Sequence, residues 1–371
     1  MKILLMPSAF WPHKGGVEEL TLKLAQHLLR RGHTVTVLTN LWPLDLPVTE
    51  VVDGVQVRRL RWTLPARNPA SRIDHTRRSK GLVAEVARIA GAFDIVHVQC
   101  ASNQTFYARR GARAAGRPLI VTTQGETVMD AGRIYQRSGW LRRELTSAAG
   151  EAVTLTACSD WTARVTSSVA SRFADAEVVY NGVDADDWIT VDPPAAPSLV
   201  AWGRHVPQKG FDLLLAAFAE LRRRIPEAAL VLGGDGPERE RLETLAGPGV
   251  SFAGALDREG VRALLESARV AVVPSRIEPF GIVALEALAA GRGLVYSTRG
   301  GLSEAADTCG RGVDPFDTTS FAAALQAEIE QPTSSVAGRR RANEMSWEAV
   351  GAQYEAIYGR AVAIRSGARG G

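Results

Sequence analysis

The feature that most constrains this chain is a strand–helix alternation that runs twice, interrupted once by Asp192-Pro-Pro-Ala-Ala-Pro197. Lys2–Met6, Thr34–Thr39, Val55–Leu60, Ile95–Val98, Leu119–Thr123 and Val153–Ala157 are apolar runs of strand length. Val17, Leu20, Leu24 and Leu28 share one helical face between the first two, and Gly32 is placed to end that helix. After the break, Leu199–Trp202, Ala229–Leu232, Val250–Phe252, Val270–Pro274 and Leu294–Tyr296 alternate with helical stretches over 211–224, 237–246, 257–268 and 281–290. Strands separated by helices predict parallel sheets covered on both faces. The expected fold class is α/β, with two doubly wound domains in tandem. Ligands in such sheets bind beyond the carboxyl ends of the strands, so two facing sheets would set a cleft between domains.

A length of 371 residues agrees with two domains at about 150 residues each. The expected division is 1–190 and 198–345, with the three prolines of 192–197 as a semi-rigid linker. A content of 46% apolar and 23% charged residues excludes disorder and a disulfide-stapled miniprotein. Cys100, Cys158 and Cys309 are far apart and form no CxxC, which argues against a zinc site and for a reducing cytoplasm. No apolar run approaches the ~20 residues that span a bilayer. Met1–Phe10 mimics a signal peptide weakly. Pro7, Pro12 and Gly15-Gly16 stand where its apolar core and cleavage site should be, so a buried first strand is expected.

The net charge of +4 is uneven: residues 1–190 hold 24 Lys/Arg against 18 Asp/Glu, and the remainder holds 20 against 22. Arg58 to Arg88 alone carries nine basic and two acidic residues. This stretch is either a solvated face or a site for an anionic acceptor or anionic membrane surface. Nucleic acid is not expected as a partner, because no binding motif accompanies the charge.

The chemistry concentrates in Pro274-Ser-Arg-Ile-Glu278-Pro-Phe-Gly281-Ile-Val-Ala-Leu-Glu286. A strand ends, a carboxylate sits in the turn, and a helix opens at Phe280-Gly281, whose first amides and dipole suit an anion. Gly203-Arg204 and Lys209-Gly210 follow the first strand of the second half, where two cations can neutralise a diphosphate. Lys209 is the only lysine after position 80. Lys14-Gly15-Gly16-Val17-Glu18 and Gly233-Gly-Asp-Gly-Pro237 are Gly-rich strand-to-helix turns, neither a well-formed G-x-G-x-x-G. A dinucleotide oxidoreductase is therefore disfavoured. Asp184-Ala-Asp186-Asp187 is formally a D-x-D metal signature, but it follows the turn pair Asn181-Gly182, and no metal site is expected there.

These motifs, in this order and with Asn181-Gly-Val-Asp184, resemble the family 4 retaining glycosyltransferases of the GT-B fold over nearly the whole chain. The resemblance implies two Rossmann-like domains, with a closing helix over 346–362 packing back toward the N-terminal one. It implies sugar transfer from a nucleoside diphosphate donor as co-substrate, with no other cofactor and no metal. By the same resemblance Glu278, Arg204 and Lys209 are the catalytic candidates. Arg204 and Lys209 would hold the diphosphate, with Gly16 against it from the N-terminal side. Glu286 would hold ribose, and Glu278 with Phe280, Gly281, Ile282 and Val283 the rest of the donor. Acceptors in the family include lipids, polysaccharides and small natural products, so a cytoplasmic or peripheral inner-membrane location is expected. A sugar-nucleotide epimerase of the same fold would use a similar phosphate cradle without an acceptor.

Two departures bear on the acceptor. Many members carry His-Gly after the strand matching Leu119–Thr123, where this chain has Gln124-Gly125-Glu126. Gln124 can donate and accept hydrogen bonds but cannot act as a general base. Asp94-Ile-Val-His97-Val-Gln99 has Gln where a second His often stands, leaving His97 as either a satisfied core histidine or an acceptor-side residue. His97, Gln124 and Glu126 are the acceptor-side candidates, and Glu126 and Asp130 the unsupported options for a covalent nucleophile.

Overall fold

The computed structural model describes residues 1–13, 15–62, 69–129, 134–188 and 191–367. These form two compact units, Met1–Val179 with Trp347–Gly371, and Tyr180–Ser346.

The first unit contains β1 (Lys2–Pro7), β2 (Thr34–Asn40), β3 (Thr49–Val52), β4 (Val55–Leu60), β5 (Ile95–Gln99), β6 (Leu119–Thr123), β7 (Thr154–Ala157) and β8 (Glu177–Val178). They make one eight-stranded sheet in the order β3-β4-β2-β1-β5-β6-β7-β8. All neighbours pair in parallel except β3 and β4. Alternation along β1 fills both faces. Leu4 and Met6 join a core with the helices Gln104–Ala114 and Gly139–Glu151, while Ile3 and Leu5 join one with the helix Gly16–Arg30. Parallel strands buried on both sides read as near-continuous apolar runs, which is why these strands were legible.

The second core receives the last helix, Trp347–Gly367, through Trp347, Val350, Tyr354, Ile357, Tyr358 and Ala361. The contact is close: a Cβ on Gly351 would overlap the His27 ring. Glu355 pairs with His33 at 2.8 Å and Arg31 at 3.4 Å along the same seam.

The second unit contains β9 (Ser198–Trp202), β10 (Ala229–Gly233), β11 (Val250–Gly254), β12 (Val270–Val273), β13 (Gly293–Ser297) and β14 (Arg311–Val313), a six-stranded parallel sheet in the order β11-β10-β9-β12-β13-β14. Leu199, Ala201, Leu230, Leu232, Val270 and Val272 pack under the helices Phe211–Arg224 and Thr318–Glu330.

Three strands escape the hydrophobic pattern: β3, β8 and β14 are short, and none is fully buried. A local signal for β3 did exist. Asp53 (φ 46°) and Gly54 (φ 84°) make the two-residue turn of a β3–β4 hairpin, the geometry Asp-Gly favours. The expected division at residue 190 also differs from the observed units. Residues 180–188 and the proline stretch pack with the second unit, where Arg292 donates to the Val191 carbonyl and Arg269 to that of Pro194 at 3.2 Å. The stretch reads as a linker because its prolines break the strand–helix pattern, while the arginines that hold its carbonyls are 75 and 101 residues away. Among the described residues, no helix is long and apolar enough to cross a membrane.

Candidate active site

In each doubly wound sheet the strand order reverses at one point, and the crevice beyond the carboxyl ends there is the natural ligand position. In the second unit that point lies between β9 and β12, which pair over only Leu199↔Val270 and Val200↔Ala271 before their ends diverge. The loops leaving these two strands carry Arg204 and Lys209 on one side and Glu278 on the other.

The loops are laced together. Lys209, at the end of a short 3-10 turn over Pro207–Lys209, places Nζ 2.7 Å from Glu278 Oε2. Ser275 Oγ donates to the same oxygen at 3.2 Å, and Glu278 is only 9% exposed. Arg276 donates through both terminal nitrogens to the two Asp212 oxygens, each at 2.7 Å, and also to the Pro207 carbonyl at 2.8 Å. Burial alone would raise the Asp212 carboxyl, and the Arg276 guanidinium more than offsets this, holding it below its ordinary value. Gly210 sits at φ 67°, where a Cβ would overlap the Pro274 carbonyl oxygen. Its lack of a side chain lets the two loops touch.

Gly281 at φ 96° opens the helix Ile282–Ala289, with Phe280 1% exposed before it and Ile282 and Val283 half-buried after it. That helix has no side-chain cap at its start, so its first amides are not spent on a capping oxygen. One turn on, Glu286 Oε2 accepts from the Trp202 indole at 3.3 Å. Trp202 ends β9, so the ring fixes this carboxylate to the switch point. Arg204 is exposed, and no described carboxylate pairs with it. The structure thus brings together Lys209, Glu278, Phe280, Gly281 and Glu286, with Arg204 on the loop that carries Lys209. Sequence reasoning missed Trp202, Ser275 and the Arg276–Asp212 pair. Their partners lie 84, 3 and 64 residues away, and only Ser275 was within reach of a local argument. The Gly-rich turn after β10 lies against the first loop, with Gly234 (φ 110°) beside Gly203 and Gly236 (φ 152°) beside His205.

The D-x-D stretch has another use: Asp184 and Asp187 both pair with Arg258.

In the first unit the switch point lies between β1 and β5. Gly16 begins the helix after β1, is exposed, and would place a Cβ within 4 Å of nothing. Lys14 and Asp130 lie outside the described residues. His97 does not line a site. It is fully buried, with Nδ1 2.7 Å from the Tyr358 hydroxyl and Nε2 2.6 Å from the Thr122 hydroxyl. Desolvation pulls its pKa down to about 3. The acceptor-side reading of His97 is corrected to that of a satisfied core histidine. Glu126 is likewise engaged by its surroundings. Oε1 accepts from the Ala101 amide at 2.8 Å, and Oε2 from the Gln124 amide at 2.7 Å and Thr123 Oγ1 at 3.2 Å. Burial raises its carboxyl above the ordinary value against these bonds. Gln124, half-buried beyond the carboxyl end of β6, donates to Gln99 Oε1 at 3.4 Å.

The basic stretch divides. Arg59 is buried against Glu50 and the carbonyls of Pro47 and Trp11, and Arg58 and Arg88 share Glu85. Arg61, Arg77, Arg78 and Lys80 are exposed, and Arg67 and the Arg72 side chain lie outside the described residues.

Comparison with known proteins fits this arrangement. Residues 14–187 match the model of Glycosyltransferase Family 4, and residues 196–331 that of Glycosyl transferases group 1. The phosphatidyl-myo-inositol mannosyltransferase of Mycolicibacterium smegmatis is 30% identical over 383 residues, covering 95% of this chain and 92% of that protein. This chain belongs to glycosyltransferase family 4. Glycogen synthase of Mycobacterium tuberculosis is 32% identical over 241 residues, a match that takes in 61% of this chain and spans 57% of that protein's length. Among solved structures, sucrose-phosphate synthase from Thermosynechococcus elongatus superposes with a TM-score of 0.77 at 22% identity, over 98% of this chain and 99% of that one. Anabaena Alr3699/HepE in complex with UDP and glucose gives 0.76 at 19%, over 96% and 99%. The family 4 chain therefore has the GT-B architecture of two parallel-sheet α/β domains.

Proposed function

We propose that this family 4 protein transfers a glycosyl group from a nucleoside diphosphate sugar to an acceptor hydroxyl, with retention of anomeric configuration and without a metal. The Lys209–Glu278 pair at the β9/β12 switch point carries this reading. It sets a cation for the diphosphate beside a carboxylate for the sugar, at the mouth of an uncapped helix. In this mechanism Arg204, Lys209 and the first amides of the Ile282–Ala289 helix take up the charge that grows on the diphosphate as the anomeric C–O bond breaks. Glu286, oriented by Trp202, holds the ribose hydroxyls. The acceptor oxygen attacks on the face the diphosphate leaves, and its proton passes to a departing phosphate oxygen. A covalent route would need a carboxylate against the opposite face. Glu278 is a poor nucleophile while Lys209 and Ser275 share one of its oxygens. The test is a thermal-shift panel of UDP, GDP and ADP sugars, followed by donor hydrolysis with and without EDTA. A rise in midpoint with one nucleotide series and EDTA-resistant hydrolysis are expected. No shift with any nucleotide would overturn the transferase reading, and loss in EDTA restored by manganese would overturn the metal-free one.

For the acceptor, we propose an amphiphile met at an anionic membrane surface. The support is a run of exposed apolar residues in the first unit, Trp42, Leu44, Val48 and Val51, each about half exposed or more (57, 48, 53 and 57%). A Trp with aliphatic neighbours suits the headgroup boundary. The exposed cations Arg61, Arg77, Arg78 and Lys80 lie in the adjoining stretch of chain. Each would add up to ~1 kcal/mol on an anionic surface, an attraction that salt weakens. Relatives of the chain include proteins named as mannosyltransferases of phosphatidylinositol species. Co-sedimentation is expected with anionic but not neutral liposomes, falling with salt and with the double change Trp42→Ser, Leu44→Ser. Absence from the anionic pellet at low salt would remove the membrane from the proposal.

A further inference from the structure

We propose that Tyr180 is a positioning residue for the Glu278–Gly281 turn, holding it in the shape that receives the donor sugar; the inference rests on the reading of that turn given above. Tyr180 is the first residue of the second unit and stands immediately before Asn181-Gly-Val-Asp184. Its ring stacks on that of Phe280, with centroids 5.4 Å apart and planes 21° from parallel. Its hydroxyl lies beside the carboxylate of Glu304, on the short helix Leu302–Ala306, and within reach to donate to it. Burial and the Glu304 charge both raise the phenol, so the group keeps its proton and remains a donor.

The same short helix presses on the turn from another direction. Leu302 fills the space that a Cβ on Gly281 would need. Just before it, the Gly301 amide donates to the Glu278 carbonyl at 2.8 Å, and the Glu278 amide donates to the Arg299 carbonyl at 3.2 Å. The turn's backbone is therefore pinned by Arg299–Gly301, while its one aromatic side chain is pinned by Tyr180. Through Glu304, Tyr180 joins both restraints to one helix. Trp202 donates to Glu286 beyond the turn and makes no part of this bracing, while Lys209 meets the turn only at the Glu278 carboxylate, so the nucleoside diphosphate contacts draw on other atoms than the Tyr180 stack does.

That separation defines the test. Tyr180→Leu removes the stack and the hydroxyl, and Tyr180→Phe removes only the hydroxyl. Calorimetry on the intact chain would compare affinity for the nucleoside diphosphate selected by the panel with affinity for its sugar, and donor hydrolysis would be followed in parallel. With stacking at ~0.5–1.5 kcal/mol, Tyr180→Leu is expected to weaken the sugar nucleotide about fivefold while changing the diphosphate less than about twofold, and Tyr180→Phe to retain most of the wild-type difference. Equal losses for both ligands would make Tyr180 a general support of the domain and overturn the proposal, as would no loss for either. Failure of the wild type to bind any nucleoside diphosphate would instead be the failure of the transferase reading, visible before any variant is made.

Discussion

Replacing Gly210 with alanine is expected to abolish donor turnover and to destabilise the second unit by about 3 kcal/mol or more. The left-handed conformation at φ 67° costs an L residue ~1–2 kcal/mol. Forcing a methyl into a filled space adds ~1–3 kcal/mol. Here the opposing atoms are the carbonyl oxygen and carbon of Pro274, which cannot rotate away as a side chain could. The loops after β9 and β12 must part, taking Lys209 away from Glu278. Urea unfolding beside a hydrolysis assay checks both halves, and a variant with wild-type stability and turnover would refute the packing of those loops.

Lys209→Ala is expected to lower turnover by about tenfold or more, from loss of a charge-assisted contact of ~1.5–3 kcal/mol. It should also lower the melting temperature. Glu278 is 9% exposed, and removing its cation leaves a largely buried carboxylate with the Ser275 hydroxyl. The double variant Lys209→Ala, Glu278→Gln should regain stability, because the stranded charge is gone, yet recover no turnover. Arg204→Ala should match the loss of turnover with an unchanged midpoint, since Arg204 is exposed. A Lys209→Ala protein that turns over donor normally would end the assignment of this lysine to the diphosphate.

What the sequence discloses depends on how local the physics is. Strands β1, β5, β6 and β12 are buried on both faces, so each announces itself as an apolar run. β14, three residues with Arg311 at its start, is a strand only because β13 lies beside it. The site divides in the same way. Glu278, Gly281 and Glu286 share one strand–turn–helix and could be placed by spacing. Trp202 belongs with Glu286 only once β9 and β12 are neighbours. His97 shows the limit most clearly, because the partner that consumes its Nδ1 is Tyr358, 261 residues away. No argument confined to Asp94–Gln99 could have decided between core and acceptor side.

The first unit is assembled from the two ends of the chain, and this has a consequence for biosynthesis. When a ribosome has delivered residues 1–179, the sheet is complete but one of its cores is open. Trp347, Val350, Tyr354, Ile357, Tyr358 and Ala361 have not been made, and the His97 imidazole still lacks the Tyr358 hydroxyl. The second unit, continuous from Tyr180 to Ser346, can close around its own interior in the meantime. Synthesis in order therefore reverses the order of completion: the half begun first is the half finished last. Throughout that interval a nascent apolar trough between Leu20, Leu24, Leu28 and the sheet needs shielding, and a chain ending short of Trp347 would carry it permanently.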